Sequence, residues 1–310
     1  MQQALKYKYP GVTQQQGLEI SMNLPHVNWF GPNVTVPRYS GIKSAAYQAY
    51  LQNTVIPQIH SSGGLASYNH PYGYSSIPAL PQAQQDKLLS QVASKLLANG
   101  ALGADLLEVG YTVREGVDVN HHIGLWDVLS RNAMFLTGNG VSDDHVGTNW
   151  HGIRNNWVTS VWAPSTTMPD LLSALAAGRA WCGSLSKFRG SLDLLVDGSV
   201  PMGAVSVSSV FSRQLVATAA GLPSGAVLQV LQGDVDYAGQ NAPTDDVKLI
   251  GSYTAKQLAS GKISQAVSTG KDSFVRTQVV SSTGAVVATS NPVWLLRKRP
   301  PNGIPAPRAA

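Results

Sequence analysis

The spacing of apolar residues changes character near residue 190. Before that point, strand-like and helix-like segments alternate, and residues 85–100 show the helical pattern most clearly. Leu89, Val92 and Leu96 fall on one face of that helix, for which Gly100 is a natural end. Further helices are predicted over 43–56, 123–131 and 169–179, and strands over 18–22, 65–69, 104–110, 133–139 and 158–162. This alternation predicts an α/β domain with a largely parallel sheet or barrel.

Beyond residue 190 the chain reads as short strands separated by Gly, Pro, Asn and Asp. The segment SSTGA predicts a hairpin turn, because Gly284 can adopt the positive φ that such turns need. No clear amphipathic helix is predicted here, except around residues 254–260. We therefore predict an α/β domain over residues 1–189, a β-sandwich-like module over 190–297 and a Pro-rich tail over 298–310.

Composition and charge narrow the function classes. The chain has 310 residues and a net charge of +5, but its Lys and Arg residues are scattered, and the only dense basic cluster is 297–299. Nucleic-acid binding is therefore not expected, and this cluster and the tail are expected to be solvated. No apolar run is long enough to predict a membrane span. Cys182 is alone, which excludes an intrachain disulfide and favours a packed thiol.

The charged fraction is only 13%, while Gln, Ser, Asn, Thr and Gly are plentiful. This composition is typical of extracytoplasmic proteins. The N-terminal residues MQQALKYKYPGV, however, contain no apolar signal-peptide core. The cellular location therefore stays open.

Histidine and glutamate are confined to one part of the chain. All seven His lie between His26 and His151, and all three Glu precede residue 116. Several of them stand at or near predicted strand ends, where the loops of an α/β fold surround one open mouth. Neutral imidazole together with carboxylate suits zinc, manganese or iron. The pattern therefore predicts a metal site in the first half of the chain.

Each of these signals has an ordinary alternative when it is taken alone. A His-Pro step such as His70-Pro71 is commonly a turn, and the segment SDDH (142–145) equally suits a helix cap or loop. The adjacent pair His121-His122 points in two directions, so it is expected to have an ordinary surface or loop role. His60 is expected to face solvent at a helix end.

The order of the motifs is more specific than any one of them. Gly-x-Glu-Ile at 17–20 with His-Val-Asn at 26–28 is followed by Asn-His-Pro at 69–71, Leu-Glu-Val at 107–109 and Gly-x-Ser-Asp-x-His at 140–145. This set resembles the PHP (polymerase and histidinol phosphatase) superfamily, and more narrowly the CehA/McbA-type metallohydrolases. The segments LWDVL, LLSALAAGRAWC and SNPVW resemble the same proteins, so the resemblance covers roughly residues 11–296.

The resemblance implies an incomplete PHP-type (β/α)7 barrel followed by a β-sandwich-like module. It also implies two or three divalent ions (Zn, Mn or Fe) and hydrolysis of a small-molecule ester, either a phosphoester, a carbamate or a carboxylic ester. The implied metal ligands are Glu19, His26, His70, Asp143 and His145. Asp143 and His145 are the implied catalytic residues, and Glu108 is implied to lie behind the ligands or to face the substrate. His151 and Arg154 lie near the acidic loop and are further candidates for the pocket.

The sequence departs from the superfamily pattern at its start. The superfamily opens with a strand that ends in His-x-His, followed by Asp-His, whereas residues 1–18 contain neither His nor Asp. The chain is therefore expected to lack the first barrel strands, as a truncated product or mis-started gene model, or as a shortened relative. The alternative function is a non-catalytic, degenerate PHP-like protein that acts as a binding module.

Overall fold

The computed structural model describes residues 17–38, 41–143, 155–237 and 246–310. It is a mixed α/β structure with many strands and few helices. The helices are α1 (Tyr47–Tyr50), α2 (Ile56–Ser61), α3 (Gln82–Asn99), α4 (Val119–Arg131) and α5 (Met168–Ala176), with a π-helical turn (Leu51–Val55) between α1 and α2. The four helical regions predicted before residue 190 are therefore present, whereas residue 254 ends a strand and residues 255–260 form turns.

Among the described residues, nine strands precede the change of sequence pattern near residue 190 and ten follow it. Those of the first part are β1 (Gly17–Ile20), β2 (His26–Phe30), β3 (Leu65–Asn69), β4 (Leu106–Gly110), β5 (Val113–Arg114), β6 (Val117–Asp118), β7 (Thr137–Gly140), β8 (Trp157–Val161) and β9 (Ala180–Ser184). Those of the second part are β10 (Ser191–Val196), β11 (Val200–Pro201), β12 (Val205–Val207), β13 (Ser212–Ala220), β14 (Val227–Asp234), β15 (Lys248–Thr254), β16 (Lys262–Ser268), β17 (Ser273–Val280), β18 (Val286–Ser290) and β19 (Val293–Leu296).

A five-stranded sheet in the order β1-β2-β3-β4-β7 forms the base of the first part. β3, β4 and β7 are parallel, as expected for strands joined through helices, but β2 is antiparallel to both of its neighbours. The short link between β1 and β2 explains the difference, because only antiparallel strands can be joined so directly. Among the described residues, no strand closes this sheet into a barrel.

The two faces of this sheet have opposite chemistry, since successive side chains of a strand point to opposite sides. One face carries Val27, Trp29, Tyr68 and Leu107, which are almost completely buried in a core shared with the helices. The other face carries polar residues such as Asn28, Ser67 and Glu108, together with the apolar Phe30 and Leu106. The apolar face anchors the sheet on the helices, so the polar face is left available for a site.

The second part has its own core, to which two sheets contribute. The strands β11-β10-β13-β16 form one sheet, and β12-β19-β17-β18-β9-β8 form the main path of the other. Leu194, Leu228 and Val279 are fully buried between them. β9 pairs with β18, so this second sheet runs across the predicted boundary at residue 189. Along the described residues, no helix combines the length and the apolar character that a membrane crossing requires.

The C-terminal tail is only partly solvated. Lys298 and Arg299 are exposed, as expected, but Arg308 is 3% exposed and so contradicts the expectation of a solvated tail. Its guanidinium donates a hydrogen bond to the carbonyl oxygen of Gly203 at 2.9 Å and another to the Thr137 hydroxyl. The planar guanidinium has several donors to satisfy these acceptors, and it therefore fixes the tail against the first part of the chain.

Candidate metal centre

Three of the predicted metal ligands come together on the polar face of the five-stranded sheet. Glu19 lies in β1, His26 is the first residue of β2, and His70 directly follows β3. His26 pairs with Asn69, and Glu19 pairs with Asn28 two positions further along β2. The tight link between β1 and β2 thus brings His26, seven positions further along the chain, beside Glu19.

The ligand atoms of these three residues converge. One oxygen of Glu19 lies 2.9 Å from His70 Nε2 and 3.3 Å from His26 Nδ1, and one ligand atom from each residue lies within 4.8 Å of the other two. Two imidazoles and one carboxylate are a donor set of catalytic zinc sites, which leave a fourth position for water. The group can therefore hold a metal ion.

His70 is held in an unusual backbone conformation. Its φ is +45°, in the left-handed region that side chains other than glycine rarely adopt. The conformation is maintained because its amide donates to Glu108 Oε2 at 2.9 Å and its carbonyl accepts from the amide of Gly73 at 2.8 Å. Strained residues of this kind cluster at functional sites. His70 can therefore form a turn with Pro71 and still serve as a metal ligand.

The charges of Glu19 and His70 stabilise each other. Burial disfavours the carboxylate of Glu19, but hydrogen bonds from His26, His70 and Asn69 outweigh burial and hold the Glu19 pKa well below its usual range. Burial also disfavours the charged form of His70. Hydrogen bonds to Glu108 and Glu19, together with the negative charges of Glu108 and Asp143, outweigh it and raise the His70 pKa to about 9. The lowered pKa of Glu19 shows that this carboxylate stays negative, and the raised pKa of His70 shows that its surroundings favour positive charge.

A cavity of about 540 Å³ adjoins this group. Its lining includes the carboxylates of Glu19, Glu108 and Asp143, and no Lys or Arg of the described residues contributes to it. Apolar side chains form much of the remaining wall. They are Phe30, Leu106, Val141, Trp157, Val158, Val161 and Leu175. The cavity thus has one negative, metal-ligating end and a largely apolar body.

Three buried oxygens on the polar side of the sheet have no hydrogen-bond partner within the described chain. They belong to Ser67, Asn69 and Asn139, all at most 3% exposed. Asn139 pairs across the sheet with Glu108, and both line the cavity. A buried oxygen without a donor is costly, so such atoms usually serve water, a cation or a ligand donor. Of the three, Asn139 lies in the cavity wall, where its oxygen is available to a bound group.

Asp143 lies at the same cavity but outside the three-residue group. Its φ is +50°, and its carboxylate accepts a hydrogen bond from Arg114. Its role as a ligand and catalytic residue stays a prediction. Glu108 contacts His70 Nδ1 and also lines the cavity, and its role behind the ligands or toward the substrate stays a prediction. His145, His151 and Arg154 lie outside the described residues.

Sequence reasoning missed two side chains next to the site, Tyr111 and Arg114. Tyr111 follows β4 directly, and Arg114 stands in the short strand β5. The hydroxyl of Tyr111 contacts both His70 and Glu108, whereas Arg114 pairs with Asp143. Tyr111 could have been found as the residue that extends the Leu-Glu-Val strand. Nothing in the local pattern around Arg114 indicates its partner.

The other histidines divide between surface and core. His60 is exposed and bonds to Asp105 at 2.8 Å, which agrees with its expected place at a helix end. The pair His121-His122 is not at the surface, because both residues are buried in α4. Asp86 and Asp118 bond to His121, whereas His122 packs against Tyr72 and Tyr111. Cys182 is buried as predicted, and burial raises the pKa of its thiol to about 12.

A scan of the chain against models of known protein families gives no match, and no curated protein matches it significantly.

Acid is expected to destabilise the fold through His122. Burial lowers its pKa to about 3, against an ordinary value of 6.5. The unfolded chain therefore binds a proton that the folded chain refuses, so this contribution to stability is complete above pH 6.5 and is lost as the pH falls. When the pH falls from about 6.5 to about 4.5, the free energy of unfolding should drop in both proteins. We expect this drop to be about 2–3 kcal/mol smaller in a His122→Leu variant than in the original chain. Urea unfolding at several pH values measures this.

His60→Leu is the matched control for that experiment. The hydrogen bond to Asp105 raises the pKa of His60 against the effect of burial, so its contribution is present below pH 6.5 and is lost as the pH rises. This variant should therefore show no gain in acid resistance. Equal acid sensitivity of the original chain and both variants would contradict the role given to His122.

Proposed function

We propose that the protein is a metal-dependent hydrolase that cleaves an ester-type bond (phosphoester, carbamate or carboxylic ester) with a metal-activated water. The observation that carries the proposal is the convergence of Glu19, His26 and His70 at the negative end of a cavity. In fold, the proposal is an incomplete PHP-type (β/α)7 barrel followed by a β-sandwich-like module. The motif order supports the same interpretation.

Glu19, His26 and His70 would hold the ion, and Asp143, which lines the same cavity, is proposed as a further ligand. A bound Zn, Mn or Fe ion supplies a water of lowered pKa and polarises the bond under attack. The side chains perform the remaining work. His70 is fixed by its backbone contacts to Glu108, while Asp143 stands at the cavity wall within reach of a bound substrate. The apolar body of the cavity excludes bulk water from the reacting end.

The charge of the cavity favours some ester substrates over others. Apart from the proposed ion, the described lining offers no Lys or Arg to a phosphate dianion, which normally requires several cationic partners, and the nearby Arg114 is already paired with Asp143. Phe30, Leu106 and Trp157 offer apolar surface to an uncharged group. We therefore propose that uncharged carboxylic or carbamic esters are better substrates than phosphomonoesters.

The alternative is a degenerate PHP-like protein that acts as a binding module. Aromatic stacking surfaces would support it, but Trp29, Trp126, Trp157, Trp181 and Trp294 are all buried. Among the described tryptophans, only Trp162 is exposed, at 42%. The tryptophans therefore give this alternative little support, and metal content separates it from the hydrolase.

The test is elemental analysis of the purified chain, followed by hydrolysis assays with nitrophenyl acetate and nitrophenyl phosphate. We expect at least about one equivalent of zinc, manganese or iron per chain. The kcat/KM for nitrophenyl acetate should exceed that for nitrophenyl phosphate by at least about tenfold, which corresponds to about 1.4 kcal/mol. Chelation should abolish the activity, and adding the metal back should restore it. A folded, monodisperse preparation that takes up no metal would contradict the proposal, and preferred hydrolysis of the phosphate would overturn the substrate preference.

A further inference from the structure

Tyr111 occupies a central position behind the candidate metal centre. It is completely buried, and its hydroxyl lies 2.8 Å from His70 Nδ1 and donates a hydrogen bond to Glu108 Oε2. The same Glu108 oxygen lies 2.9 Å from His70 Nδ1. Both contacts are on the side of the imidazole away from Glu19, whose carboxylate faces Nε2.

Both ring nitrogens of His70 face acceptors, Nδ1 on the side of Tyr111 and Glu108 and Nε2 on the side of Glu19, so a metal ion bound at Nε2 would leave the proton on Nδ1 in place. A neutral imidazole carries its proton on one nitrogen only, and only the other nitrogen has a lone pair for a metal ion. The Tyr111 proton is engaged with Glu108, so the tyrosine oxygen and the carboxylate are both acceptors toward His70 Nδ1. A proton on Nδ1 satisfies them, and an ion held by Glu19 would replace only the proton on Nε2 and bind the lone pair there.

We propose that Tyr111 is a positioning residue for His70: with Glu108 it holds the imidazole proton on Nδ1 and leaves Nε2 to bind the metal ion. This inference rests on the proposed function, because it assigns Tyr111 a task only if His70 is a ligand. Partners that fix the tautomer and orientation of a metal-ligating histidine typically contribute about 10–100-fold to metal affinity.

Tyr111 also lies beside the cation that pairs with Asp143. The Arg114 guanidinium stands over its ring, 5.8 Å from the centroid, and the same guanidinium pairs with Asp143. A single buried side chain is thus in contact with His70, Glu108 and the cation that holds Asp143. Loss of the hydroxyl alone leaves the ring and its packing in place, which makes Tyr111→Phe a narrow test.

The experiment compares Tyr111→Phe with the original chain, and Tyr68→Phe is the matched control. Tyr68 is 2% exposed in the neighbouring strand β3, but its ring lies in the core on the opposite face of the sheet. Zinc affinity is measured by competition with a chromophoric chelator, and the ligand field is measured from the visible spectrum of the cobalt-substituted protein. Thermal unfolding of the metal-free proteins checks the fold.

We expect Tyr111→Phe to bind zinc about 10–100-fold more weakly and to shift the cobalt bands, whereas Tyr68→Phe leaves both unchanged. A purely structural role for the hydroxyl would lower the unfolding temperature without moving the cobalt spectrum. Unchanged affinity and spectrum in a folded Tyr111→Phe variant would overturn the inference. Failure of the original chain to bind any metal would instead overturn the proposed function, and this inference with it.

A second variant covers the case in which Tyr111→Phe does not fold. Glu108→Gln keeps the shape of the carboxylate but replaces one acceptor oxygen with a donor. Nitrogen NMR of the His70 imidazole then reports the tautomer directly. We expect the proton to reside on Nδ1 in the metal-loaded original chain and a mixture of tautomers in the variant. A single, unchanged tautomer in Glu108→Gln would contradict the positioning role of the pair.

Discussion

His70→Ala is expected to reduce the bound metal from near-stoichiometric to undetectable amounts, and metal-dependent ester hydrolysis should disappear with it. His70 provides one of three converging ligand atoms. Zinc bound by four protein ligands in small peptides contributes about 10–16 kcal/mol, so each ligand accounts for roughly 3 kcal/mol, or about 150-fold in affinity. Elemental analysis after dialysis against a weak chelator and the kcat/KM for nitrophenyl acetate measure the two losses.

The effect of His70→Ala must be separated from a loss of the fold. His60→Ala is the matched control, because His60 is also hydrogen-bonded to a carboxylate but lies on the surface away from the cavity. It should keep both the metal and the activity. Circular dichroism of both variants establishes that each is folded. Retention of stoichiometric metal by a folded His70→Ala variant would remove His70, and the centre built on it, from the proposal.

The same histidine illustrates what the sequence could and could not reveal. The end of β3 was predictable, because a compact strand pattern precedes the Asn-His-Pro turn, and His70 was placed there correctly. The convergence of His70 with His26 was not predictable, because the residues of β2 were not recognised as a strand. β2 is only five residues long, and its pairing with β1 and β3 becomes evident only from the register.

Long-range polar contacts were the least predictable feature of the site. Arg114 and Asp143 are 29 residues apart, and Tyr111 and His70 are 41 apart. No local periodicity encodes such pairs, since they depend on which strands become neighbours. The burial of His121 and His122 escaped detection for a related reason. Nearly every residue of α4 is buried between other elements, so its burial does not follow the one-sided pattern of a surface helix.

Packing between the two parts of the chain was also beyond the sequence. The segment around Asp127 is predicted as helix, and the structure confirms it. Nothing in the sequence pattern indicates that the Asp127 carboxylate pairs with Arg276 of β17. Asn291 makes a comparable connection, because its side chain bonds to both backbone groups of Gly138 and to the carbonyl of Ala180. These two polar residues fix the five-stranded sheet and its helices to the strands of the second part. The site and the second part are therefore expected to be coupled in stability.

Asp127→Ala should be among the most destabilising single changes in the chain. Asp127 of α4 accepts two hydrogen bonds from Arg276 of β17, at 2.7 and 2.6 Å, and both side chains are at most 5% exposed. Removing one partner leaves a buried guanidinium without its counter-charge. We expect the free energy of unfolding to fall by about 3–5 kcal/mol, measured by urea denaturation.

The pair Arg179–Asp193 is the exposed control for this buried pair. It also joins an Arg to an Asp at 2.9 Å, but its side chains are 24% and 33% exposed. Water can solvate either group when its partner is removed, so Asp193→Ala should cost no more than about 1 kcal/mol. A double variant, Asp127→Leu with Arg276→Met, should recover much of the loss, because the unpaired buried charge is then absent. Equal losses of unfolding free energy in Asp127→Ala and Asp193→Ala would contradict the role of the buried pair in joining the two parts. The packing of apolar side chains alone would then hold α4 against β17.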